Sequence, residues 1–79
     1  LRAGRCFRLI VRRGGIAPAF LASPDRVDHL EVVEIDGGEV VFFWDCPPQT
    51  ASRQARELRE DLNLMERDDF LARWSTVEG

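Results

Sequence analysis

The chain has 79 residues, 44% of them hydrophobic and 32% charged, with a net charge of −3. That balance belongs to a globular chain rather than a disordered one, and the length allows one small domain near the size where a single core is only marginally stable. No apolar run approaches the roughly 18 residues of a membrane span and no signal-peptide pattern occurs, so a cytoplasmic protein without membrane contact is expected.

The chain opens at Leu1 rather than Met, which leaves open whether upstream residues complete the fold. All its basic residues other than His29 are arginines, and their distribution is uneven. Residues 1–26 carry six Arg and one Asp, a net +5, whereas residues 27–79 carry five Arg and thirteen acids, a net −8. The simplest reading is intramolecular, with a basic first strand partly neutralised by acidic later elements. The sharper reading is a nucleic-acid footprint.

From Arg5 to Arg13 the residues alternate. Phe7, Leu9 and Val11 fall on one face and Cys6, Arg8, Ile10 and Arg12 on the other, as in a half-buried strand. Gly14-Gly15 supplies a turn. Ile16 to Ala22 then reads as an edge strand or an irregular crossing segment, because Pro18 lacks the N–H that a central strand donates. Ser23-Pro24-Asp25 has turn chemistry and can open a single helical turn.

The segment from His29 to Asp45 predicts a hairpin about Asp36-Gly37-Gly38, glycines that tolerate positive φ. With Gly37-Gly38 as a two-residue loop, Ile35 pairs Val40, Val33 pairs Phe42 and Glu31 pairs Trp44. One face then holds Val33, Ile35, Val40, Phe42 and Trp44. The other holds Leu30, Val32, Val41 and Phe43. A slip of one residue would exchange the faces.

Cys46-Pro47-Pro48 ends the strand and places a helix start between Pro48 and Thr50. Ala51, Ala55, Leu58, Leu62 and Met65 recur at intervals of four and three, which puts them on one helical stripe. Arg53, Arg56, Glu57, Arg59, Glu60 and Asp61 fill the remainder, as a solvated face. Asn63-Leu64-Met65-Glu66 matches a capping box, so a break near Asn63 and a second helix bearing Phe70, Leu71, Trp74 and Val77 are expected.

The chemical candidates are few. Cys46 lies between a strand and a helix N-terminus, where the helix dipole can favour thiolate. No second cysteine follows two residues later, so a CxxC redox pattern is absent. Two cysteines cannot build a four-ligand zinc site, and Cys6 and Cys46 are expected to stay reduced. His29 has no recognisable nucleophile motif beside it. Glu60-Asp61 and Asp68-Asp69 point about 100° apart on a helix and chelate poorly. No Gly-rich phosphate loop occurs. No catalytic residue, metal site or cofactor is therefore expected.

Taken together, the elements predict an α+β domain spanning residues 1–79. A three- to four-stranded antiparallel sheet, a meander with the 29–45 hairpin, precedes two C-terminal helices packed on one face. The function expected is a non-enzymatic protein-interaction module, partnered by itself as a homodimer or by another protein. Its interaction face would be Leu30, Val32, Val41 and Phe43. The alternatives are a nucleic-acid-associated regulator contacting its ligand through Arg5, Arg8, Arg12 and Arg13, and a thiol protein centred on Cys46.

Overall fold

A computed structural model describes residues 1–13 and 27–77. In chain order the elements are α1 (Ala3–Cys6), β1 (Phe7–Arg12), β2 (Asp28–Glu34), β3 (Val40–Cys46), α2 (Pro48–Leu64) and α3 (Arg67–Trp74). Among the described residues the strands form a three-stranded antiparallel sheet in the order β1-β2-β3, followed by the two C-terminal helices. This is the expected α+β arrangement. The segments expected to form an edge strand at residues 16–22 and a turn at residues 23–25 lie outside the described residues.

Alternation in β1 carries through, with Phe7 buried and Arg8 and Arg12 exposed. The strand begins later than the alternation suggests, because residues 3–6 form a helical turn instead. That turn closes against the far end of the chain. The Ala3 N–H donates to the Met65 carbonyl at 2.9 Å, and the Arg67 N–H donates to the Leu1 carbonyl at 3.0 Å. The Arg2 guanidinium donates to the carbonyls of Asn63 at 3.2 Å and Leu64 at 2.8 Å. These contacts take up the backbone groups where α2 ends.

The break between α2 and α3 therefore falls at Met65-Glu66 rather than at Asn63. Glu66 is the N-cap of α3 without a side-chain capping bond, so the expected capping box does not form. Pro48 opens α2, as the Pro47-Pro48 pair predicts.

The hairpin is present, but its register differs from a two-residue loop by one position. Leu30 pairs Trp44 and Val32 pairs Phe42, and an irregularity follows that brings Val33 opposite Val40. The turn is longer than expected. The Gly38 N–H donates to the Glu34 carbonyl and the Glu34 N–H to the Glu39 carbonyl. Gly37 and Gly38 both have positive φ, at 96° and 73°. In this region a side chain would strain the backbone, so the two glycines allow the reversal.

The helices cover one face of the sheet. Leu30, Val32, Trp44, Phe7, Ala51, Ala55, Leu58, Leu62, Phe70 and Trp74 are buried together. The stripe expected of the helices is thus the one that packs on the sheet. Aromatic contacts join the layers: Phe7 stacks on Phe70 at 5.7 Å, and Trp44 meets Trp74 edge-on at 5.7 Å between ring centroids. The Trp44 Nε1–H donates to the Val77 carbonyl at 2.9 Å.

Candidate interaction face

The opposite face of the sheet bears no helix among the described residues. Its side chains follow from the pairing as three rows across β1, β2 and β3. Arg8, Val33 and Val40 form the row nearest the hairpin turn. Ile10, Glu31 and Phe43 form the middle row, and Arg12, His29 and Asp45 the third. Ile35, in the turn beyond β2, is 48% exposed but lines a concavity with Cys6, Phe7 and Arg67, whereas on this face Val40 is 56% exposed and Phe43 51%. Ile10 and Val33 are half-buried among them. The face is therefore apolar around Ile10, Val33, Val40 and Phe43, with Glu31 at its centre and Arg8, Arg12 and Asp45 at its corners.

Polar contacts tie these charges together. The Arg12 guanidinium lies 3.7 Å from the Glu31 carboxylate. The His29 Nδ1 contacts the Asp45 carboxylate, and the His29 ring stacks on Phe43 with centroids 5.5 Å apart. The histidine thus sits between an aromatic ring and a carboxylate on the surface of the sheet.

The residues expected to form the interaction face are divided by the register. Leu30 and Val32 are fully buried beneath the helices, so they belong to the core and not to the open face. Val41 is half-buried and packs against the core. Phe43 alone of the four lies half-exposed on the open face. The cause is the one-residue register difference, which joins Leu30 and Val32 to Phe42 and Trp44. Val33 and Val40, assigned to the core face on the two-residue loop, are the residues that accompany Phe43 instead, while Ile35 falls in the turn.

The expected arginine cluster is not one surface. Arg8 and Arg12 share the open face at the β1 edge. Arg13 lies 3.8 Å from the fully buried Asp28 and lines a small cavity with Ser52 and Arg59 of α2. Arg5 belongs to α1 and lines a separate concavity with Cys6, Glu34 and Arg67.

Cys46 is buried at the end of β3, with its Sγ 3.7 Å from Gln54 Oε1. Burial pushes its thiol pKa up, and Asp45 and then Asp28 push it further in the same direction. The local field thus opposes the thiolate that the helix N-terminus was expected to favour. Both cysteines are free.

Asp61, expected on the solvated side of α2, is instead buried between the two helices. Its Oδ2 accepts the Trp74 Nε1–H at 3.0 Å and lies 2.6 Å from an Arg73 nitrogen. Gln54 is buried as well. Both stand three residues from a core position (Gln54 from Ala51, Asp61 from Leu58), so helical spacing alone places them beside the apolar stripe.

No protein-family model, curated protein or solved structure matches the chain. Among the described residues no helix is long and apolar enough to cross a membrane.

Proposed function

We propose that the chain is a non-enzymatic protein-interaction module that self-associates through the open face of its sheet. The observation that carries this reading is the pair of half-exposed apolar side chains Val40 and Phe43, with Ile10 and Val33 half-buried beside them, on the side of the sheet opposite the helices. Completing the burial of such side chains is worth up to roughly 1.5–3 kcal/mol each, and less here because each is already partly covered. Association costs several kcal/mol, so Ile10 and Val33 must join the contact for a stable dimer. A symmetric pair covers the same patch on both copies.

Two features weigh against the alternatives. Arg12 and Arg13 each have a carboxylate within 4 Å, which reduces the free positive charge available to a phosphate backbone. The elevated thiol pKa at Cys46 disfavours a reactive thiolate.

Light scattering after size exclusion, over a micromolar concentration series, tests the reading. The wild-type chain is expected to run as a dimer and Phe43→Asp as a folded monomer. A wild-type monomer throughout the series, or a Phe43→Asp dimer of unchanged affinity, would overturn it.

A further inference from the structure

The charge on the open face is arranged so that it also selects the geometry of the pair. β1 contributes Arg8, Ile10 and Arg12, whereas β3 contributes Val40, Phe43 and Asp45. One edge of the face is basic and the other is apolar with an acid at one end. Two sheets that pack face to face keep their strands roughly aligned, which leaves two in-plane directions for a two-fold axis.

An axis running across the strands sets β1 on the partner's β1. Each Arg8 then faces the partner's Arg12, and each Val40 faces the partner's Asp45. Both matches are poor, one through like charge and the other through a desolvated carboxylate. An axis running along the strands reverses the strand order and keeps the rows. Arg12 then lies over the partner's Asp45, Ile10 over the partner's Phe43, and Arg8 beside the partner's Val40. Glu31, at the centre of the face, meets its own copy under either axis and so does not distinguish them. In this geometry each Arg12 lies between Glu31 of its own chain, 3.7 Å away, and the partner's Asp45.

We propose that a second copy of this chain docks in this second geometry, with β1 of each protomer over β3 of its partner and two Arg12–Asp45 pairs closing the rim. This rests on the self-association proposed above. The apolar side chains Ile10, Val33, Val40 and Phe43 supply most of the affinity, and the charged pairs fix the orientation.

Sedimentation equilibrium on Arg12→Glu and Asp45→Arg tests the geometry, with circular dichroism to verify that each variant is folded. Reversal acts twice in a symmetric dimer, so each single variant is expected to dimerise on the order of tenfold more weakly at low salt. An equimolar mixture of the two variants, one carrying a mass tag, is expected to form the heterodimer preferentially by native mass spectrometry. In the mixture both opposed pairs are again of opposite charge.

If Arg12→Glu dimerises as tightly as wild type or more tightly, the strand-parallel axis is overturned while self-association stands. The axis across the strands predicts that result, because the carboxylate introduced by Arg12→Glu would then relieve the repulsion from the partner's Arg8. A wild-type chain that remains monomeric would overturn both proposals together.

Discussion

The buried carboxylate of Asp61 is the most direct test of how this small core holds its two helices together. It accepts the Trp74 indole N–H, and Trp74 is 2% exposed, so water cannot readily take its place. Asp61→Ala leaves that N–H buried without a partner, which costs about 1–3 kcal/mol. It also removes the contact with Arg73, whose half-exposed side chain limits that pair to roughly 1 kcal/mol or less.

The expected total is therefore about 1–4 kcal/mol, a large fraction of the stability of a domain this size. In a thermal melt followed by circular dichroism this corresponds to a fall in Tm of roughly 5–30 °C. Asp61→Asn keeps an oxygen acceptor for Trp74 and loses only the ion pair, so it should cost about 1 kcal/mol. A double-mutant cycle with Trp74→Phe isolates the hydrogen bond, and its coupling energy should be at least ~1 kcal/mol. The reasoning fails if Asp61→Ala lies within ~0.5 kcal/mol of wild type, or if Asn costs as much as Ala.

Other consequences are as direct. A Cβ at Gly4 would stand 2.9 Å from the Leu62 carbonyl oxygen, so Gly4→Ala must push α1 off α2. Denaturant titration should show a loss of about 1–3 kcal/mol, opposite in sign to the gain that helix propensity alone predicts. At Cys46 the native thiol keeps its proton to higher pH than in the unfolded chain. Stability should therefore be fully present below the ordinary thiol pKa of 9.0 and decline as pH rises above it, and alkylation at pH 8 should reach Cys6 before Cys46. Deleting Val41 leaves Val32 opposite Phe42 and Val33 opposite Val40, so a cooperative melt should survive with a loss of ~1–2 kcal/mol. Deleting Phe43 instead turns Trp44 and Cys46 to the other face and should abolish the cooperative melt.

The parts of the fold written in local pattern are legible. Pro47-Pro48 marks the start of α2, the four-and-three spacing marks its buried stripe, and Gly37-Gly38 marks the hairpin. What local pattern does not carry is decided at longer range. The end of α2 is placed by Arg2 and Ala3, from the opposite end of the chain, and no motif near Asn63 encodes that. Asp61 reads as a surface acid because its charge outweighs its position on the helix. Local pattern puts Leu30 and Val32 on the wrong face because sheet register depends on turn length, and a single residue of difference exchanges every side chain.

The irregularity at Val41 bears most closely on function. In an uninterrupted β3, Val40 would share the side of Phe42, Trp44 and Cys46, toward the helices. The extra residue instead sets Val40 opposite Val33, on the open face with Phe43, while Val41 packs against the core. A bulge that re-aims a side chain outward is a known way to build a surface, and here the side chain it exposes is apolar where a polar one would satisfy the fold. The strand is guarded against the other route to association. Glu39 and Asp45 flank its apolar run, Pro47 follows it, and the bulge disturbs its outer edge, all of which discourage edge-to-edge pairing. Arg8 and Arg12 do the same for β1. With both edges of the described sheet opposed to strand addition, the self-association proposed above would use the open face rather than a strand edge.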